Sequence, residues 1–176
     1  TRPHILYPSA AMHPTINIAT RAARNAGRIL MRYFEHTEGL RVDQKSRNDF
    51  VSEVDRQAEL TIIQELRSKF PSHGILGEET GTHQGDEFQW IIDPLDGTTN
   101  YLHGGPQFSI SIALMHKGRL EHGLVYDPVR DEMFTGSRGN GAKINDRKLR
   151  VTRRPNLEGA LIGTGYEPMK MPPIAA

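Results

Sequence analysis

The chain has 176 residues, enough for one well-packed domain. Its 22 Lys and Arg stand against 21 Asp and Glu, and the resulting net charge of +1 excludes a strong nucleic-acid or membrane-surface field. It has no cysteine, so disulfides and thiolate zinc sites are excluded, and no apolar run nears the ~18 residues of a membrane span.

Residues 1–11 carry two prolines and no periodicity, and read as a disordered extension ahead of Met12-His13-Pro14. From Thr15, Ala19, Ala22, Ala23, Ala26, Ile29, Leu30, Tyr33 and Phe34 recur at helical spacing, and Gly39 breaks the pattern. A second helix is predicted to start at Ser52, bury Ala58, Ile62, Ile63, Leu66 and Phe70, and stop at Pro71. Ser52 with Asp55 three residues on matches a capping box, which explains both residues without chemistry. Ile75-Leu76 is a short strand ending in the turn Gly77-Glu78-Glu79-Thr80, and residues 88–92 form a buried strand. Further on, Phe108, Ile110, Ile112 and Leu114 alternate with small residues, a period of two. Lys117-Gly118 turns the chain into a strand over 120–126, and Asp127-Pro128 turns it towards Met133-Phe134. Residues 136–141 read as a tight hairpin, because the strand–glycine–helix context of a nucleotide loop is missing. A last strand is expected over 160–164, and prolines leave 166–176 as an irregular tail. Short connections between successive strands argue for antiparallel pairing. The fold class expected is α+β, two helices packed on a large antiparallel sheet.

The stretch Asp93-Pro94-Leu95-Asp96-Gly97-Thr98-Thr99-Asn100 carries most of the chemical information. Two carboxylates three residues apart follow a strand on a turn stiffened by proline, so Asp93, Asp96 and the Leu95 carbonyl can converge. Hard cations such as Mg²⁺ take oxygen sets of this kind and complete their shell with substrate phosphate. Gly97-Thr98-Thr99 offers backbone N–H groups to phosphate at a helix start or nest. The bland reading is a capped strand-to-helix turn, but the whole octapeptide favours chemistry. Glu78-Glu79, alone a solvated loop, becomes a candidate ligand pair beside such a site.

Taken together these elements resemble the inositol monophosphatase family, in its bacterial SuhB-like branch. The match runs in order through Lys45-Ser46, Asp49-Phe50-Val51-Ser52-Glu53-Val54-Asp55, Gly77-Glu78-Glu79, the block from Trp90 to Asn100, and Phe108-Ser109-Ile110-Ser111-Ile112-Ala113. The resemblance implies the N-terminal domain of the layered inositol monophosphatase/fructose-1,6-bisphosphatase fold over residues 12–165. Trp90 is the only tryptophan, so the family's later W-D motif is not in this sequence, and 166–176 would lie at the boundary to a further domain.

Carried over position by position, the resemblance implies metal ligands Glu78, Asp93, Leu95 (by its carbonyl) and Asp96, with Mg²⁺ as cofactor. It makes Asp55, Thr98 and Glu78 catalytic, Asp55 and Thr98 orienting and deprotonating the attacking water. Leu95, Asp96, Gly97 and Thr98 would bind substrate. Lys45 matches a loop lysine near the metal entrance, although a solvated lysine explains it as well. The implied reaction is Mg²⁺-dependent, lithium-sensitive hydrolysis of a phosphate monoester, inositol-1-phosphate first. The alternatives are a sister sugar- or nucleotide-phosphate phosphatase, or a non-catalytic factor in bacterial transcription and RNA maturation, with RNA polymerase or an antitermination complex as partner. A cytoplasmic homodimer is implied, with direct nucleic-acid binding and membrane association not expected. This sequence alone would be weakly active or inactive as an enzyme.

Overall fold

The computed structural model describes residues 14–37, 44–152 and 154–163. The expected extension over 1–11, the break at Gly39 and the tail over 166–176 lie outside the described residues. Helix α1 (Pro14–Thr37) opens on proline, whose missing N–H costs nothing at a helix start. It buries Ala19, Ala22, Ala23, Ala26 and Leu30, as the spacing predicts, and Ile16 one turn earlier. The small residues let the helix lie close to the sheet: a Cβ on Gly27 would sit 2.7 Å from Cε1 of Tyr126.

Helix α2 (Gln44–Lys69) begins eight residues before the expected start at Ser52. The capping-box reading of Ser52 and Asp55 is therefore overturned, since both lie well inside the helix. The apolar stripe explains the difference. It extends backwards through Val54 and Val51, both buried, so tertiary packing keeps the earlier turns helical.

Eight strands follow: β1 (Gly74–Gly77), β2 (Gly81–His83), β3 (Phe88–Asp96), β4 (Ser109–His116), β5 (Arg119–Asp127), β6 (Glu132–Ser137), β7 (Gly141–Ile144) and β8 (Arg147–Lys148). A short helix α3 (Thr98–Leu102) separates β3 from β4. The sheet order is β2-β1-β3-β4-β5-β6-β7-β8. Neighbours pair antiparallel except β1 and β3, which run parallel, so the sheet is mostly rather than wholly antiparallel. Lys117 and Gly118 both take positive φ in the β4–β5 turn, the backbone twist that two-residue hairpins require.

Both long helices pack on one face of the sheet, and between them lie Trp90, Ile92, Ile110, Ile112, Leu114, Leu124 and Met133. Among the described residues, no element packs on the opposite face. Leu76, Ile91, Leu120 and Val125 are exposed on it, and a shallow concavity of about 890 Å³ is lined there by Ile91, Ala113, Leu120, Val125, Phe134 and Leu149. The strand expected over 160–164 does not form across its described part: residues 160–163 are irregular, and Leu161 and Ile162 are exposed. Apolar residues there find no neighbouring strand among the described residues, and an unpaired strand has no ladder to stabilise it.

The two faces should respond differently to truncation. Ile112→Ala, in the packed layer, is expected to cost about 2–5 kcal/mol. Leu120→Ser on the open face should change stability by no more than about 0.5 kcal/mol. Urea midpoints measure both, and a large cost at Leu120 would show that the open face is covered in solution.

Candidate functional site

The parallel pairing of β1 with β3 builds the site. Gly77 lies opposite Ile92 at the shared C-terminal edge, and the Glu78 N–H donates to the Ile92 carbonyl at 3.2 Å. The two chains therefore leave the sheet side by side, carrying Glu78 on one and Asp93 on the other. β3 runs on past Pro94 to Asp96, with its pairing to β4 irregular between Asp93 and Asp96. That irregularity re-aims side chains at the end of the strand. The Leu95 N–H donates to Asp93 Oδ1 at 3.2 Å, which fixes the Asp93 carboxylate against its own turn.

Burial pushes the Asp93 carboxyl up to about 7, helped by the charge of Glu78, a hydrogen bond with the Glu78 carboxyl and the charge of Asp96. Negative charges this close to Asp93 disfavour its ionised form. Asp55 projects from α2 into the same region, 4% exposed. Its carboxyl is also raised to about 7, first by burial and then by Glu79, Glu78, Asp93 and Glu59. Asp55 Oδ1 is buried without a hydrogen-bond partner among the described residues. Glu79, more exposed, is raised by burial and by Glu78 and Glu59, while Arg56 opposes the shift.

The phosphate side of the site is made by the next turn. Gly97 precedes α3 with φ 96°, where a Cβ would also come within 2.8 Å of the Gln107 carbonyl oxygen. Only glycine suits both conditions. The first helical bond runs from the Tyr101 N–H to the Gly97 carbonyl, so the N–H groups of Thr98, Thr99 and Asn100 come before it. The Thr98 hydroxyl donates to the Leu95 carbonyl at 3.0 Å, tying a proposed catalytic residue to a proposed ligand. Asn100 braces the following loop, its Nδ2 donating to the Gln107 carbonyl at 2.8 Å. Tyr101 is buried under the turn and donates to the Leu30 carbonyl at 2.7 Å, which anchors α3 to α1.

The structure thus draws Glu78 and Asp93 together, sets Asp55 beside them, and places Leu95, Gly97 and Thr98 on the adjoining turn. Among the described residues, no group of three or more His, Cys, Asp or Glu side chains stands ready to hold a metal ion. Asp96 is exposed at the strand end. The side chain of Lys45 lies outside the described residues. Sequence reasoning missed Glu59, which is completely buried and accepts the N–H groups of Glu79 and Thr80 at 2.9 and 2.8 Å. The signal was there: Asp55 and Glu59 interrupt the apolar stripe of α2 at i and i+4, on the face that packs inward.

A family model for the inositol monophosphatase family matches residues 11–174. The chain belongs to the inositol monophosphatase family. Among its relatives is the Nus factor SuhB of Pseudomonas aeruginosa, 54% identical over 159 residues that cover 88% of this chain and 59% of that protein. The crystal structure of the extragenic suppressor protein SuhB from Bartonella henselae superposes with a TM-score of 0.73 at 42% identity, over 83% of this chain and 57% of that one. Inositol monophosphatase from Anabaena (Nostoc) gives 0.67 at 39% identity, over 80% and 50%. The chain therefore spans between half and three fifths of these relatives.

Membership of this family implies a divalent metal, and the donor set suits one. A buried carboxylate oxygen without a partner among the described residues and a neighbouring acidic pair are both groups that a hard cation would satisfy. Raised carboxyls also fix the sign of a pH response. Asp55 and Asp93 hold protons in the folded chain up to about 7 but release them near 3.8 when unfolded. Their contribution is present at low pH and lost as pH rises through about 7. In chelator, the melting temperature should fall between about pH 4 and pH 7. Asp55→Asn should flatten that fall, and Mg²⁺ at the upper end should reverse it. A metal-free protein whose stability rises across this range would contradict the arrangement.

Proposed function

We propose that this chain is the first part of a SuhB-like factor that acts by protein contacts in bacterial transcription, built on a phosphatase scaffold. The observation that carries this reading is the 54% identity to a Nus factor SuhB. It reverses the order expected from the motifs alone, which put hydrolysis first. The near-neutral charge agrees with protein rather than direct nucleic-acid contact. RNA polymerase or an antitermination assembly is the partner class, and the working form is a cytoplasmic homodimer.

A second reading is favoured by the site itself: Mg²⁺-dependent, lithium-sensitive hydrolysis of a phosphate monoester, with inositol-1-phosphate the first candidate. The Glu78–Asp93 pair supports it. Glu78, Asp93, the Leu95 carbonyl and Asp96 would hold Mg²⁺. When bound, the metal neutralises phosphate charge and acidifies a water molecule. The chain's own residues do the remaining work. Asp55 sits where a proton can be taken up near neutral pH, since burial and four neighbouring acids raise it to about 7. The Thr98 hydroxyl, oriented by the Leu95 carbonyl, would order the attacking water. The Gly97 and Thr98 N–H groups, at the start of α3, would bind the phosphate oxygens.

One substitution separates the readings. In the longer protein, Asp93→Asn should lower hydrolysis of inositol-1-phosphate at least about 10²-fold, since it removes a charge from the metal set. The same variant should keep its capture of RNA polymerase on a column. Loss of capture would show that the site serves binding, and a wild-type protein that captures nothing yet hydrolyses the ester would leave the phosphatase reading alone. This 176-residue chain by itself should show little or no turnover, and light scattering should find it dimeric.

A further inference from the structure

The 77–80 turn, which carries Glu78, is not held by the sheet alone. Beneath it lies Glu59, an acid with no solvent exposure on a helix face that carries Val51, Val54, Ala58, Ile62 and Leu66 and one other buried acid, Asp55. Its two oxygens divide the labour: Oε2 accepts the Glu79 N–H at 2.9 Å and Oε1 accepts the Thr80 N–H at 2.8 Å. These are the two amides that directly follow Glu78. The chain has been cleared to let the carboxylate in, for a Cβ on Gly77 would lie 2.6 Å from the Glu59 carboxyl carbon. Glycine at 77 takes no unusual backbone conformation, so the requirement is space.

A turn needs no buried acid to close. Asn or Ser side chains cap such turns at the surface at far smaller desolvation cost. Glu59 instead adds a buried carboxylate to a region that already holds Asp55, Glu78, Glu79 and Asp93, and it raises the carboxyls of Asp55 and Glu79. Charge-assisted bonds from a fixed helix to two successive amides leave the peptide ahead of them little freedom. That peptide presents Glu78 to Asp93.

We propose that Glu59 is a positioning residue for divalent-cation binding, fixing the 77–80 turn from α2 so that the Glu78 carboxylate meets Asp93. The proposal rests on the reading that Glu78 and Asp93 hold a metal. Glu59 does not touch the cation; it acts through the backbone of Glu79 and Thr80.

The test uses the whole chain and Mn²⁺ as probe, with free Mn²⁺ read by electron paramagnetic resonance and amide exchange by NMR. Wild type is expected to bind Mn²⁺ and to protect the Glu79 and Thr80 amides. Glu59→Gln keeps side-chain shape but turns one acceptor into a donor facing an N–H. It should lose protection at those amides and weaken Mn²⁺ binding at least tenfold. Gly77→Ala, which forces the carboxylate away, should do the same, and adding Glu59→Asp to it should restore part of the affinity by making room for the methyl group. Ile62→Val, a core change of α2, is expected to lower the melting temperature without moving the Mn²⁺ affinity. A folded Glu59→Gln protein that binds Mn²⁺ within twofold of wild type overturns the proposal, as does a folded Gly77→Ala protein with unchanged affinity should Glu59→Gln fail to fold. Wild type that protects both amides but binds no Mn²⁺ overturns the metal reading itself, a result distinguishable from either.

Discussion

The site depends on one pairing, the parallel alignment of β1 with β3. Parallel neighbours end at the same edge of a sheet, whereas antiparallel neighbours send their ends to opposite edges. Had β1 paired antiparallel like the rest of the sheet, Glu78 and Asp93 would leave from opposite ends. The connection from β1 to β3 contains β2 and only a few further residues, so the parallel register is short, from Gly74 opposite Gln89 to Gly77 opposite Ile92. Four residue pairs suffice because both strands are anchored elsewhere: Ile75 and Trp90 sink into the core under α2, and the Glu78 N–H adds one more bond to the Ile92 carbonyl.

Much of this was legible in the residues. The alternation through Phe108, Ile110, Ile112 and Leu114 needed no tertiary information, because a half-buried strand repeats every two residues. The helical stripe of α1 was equally clear from its alanines. The start of α2 was not. Ser52 and Asp55 form a local pattern that suits a helix start, and local patterns lose to packing when buried residues such as Val51 and Val54 lie upstream. The apolar run 160–163 misled for the opposite reason. Its composition suits a strand, but pairing is a property of two segments, and one segment cannot show whether its neighbour is there.

For the site, the order of motifs located the acids, and the fold supplied their distances. Glu78 and Asp93 read as candidates because each closes an apolar run. Sequence could not show that the two runs pair in parallel, nor that Thr98 would bond to the Leu95 carbonyl. Glu59 was invisible as a functional residue, since a glutamate on a helix is usually solvated. Its i+4 spacing from Asp55, on the buried stripe, was the available clue. Gly77 was equally silent: its backbone is ordinary, and only the carboxylate packed against it shows why no side chain fits.

The buried acids bear on which function the scaffold serves. Asp55 and Glu59 on the inward face of α2 oppose the folding of the chain, because burial of acids costs free energy and their neighbours repel them. Apolar residues at both positions would extend the stripe from Val51 to Leu66 and stabilise the helix pair. A surface that works only by docking to a partner gains nothing from like charges hidden beneath it. A cation site does gain: burial first, and then the repulsion of neighbouring acids, raise Asp55 and Asp93 to about 7, and a divalent ion would offset both costs, so instability without metal becomes affinity for metal. The acid cluster therefore supports the proposed cation site, and the proposed SuhB-like contact role would be laid over such a site rather than put in its place.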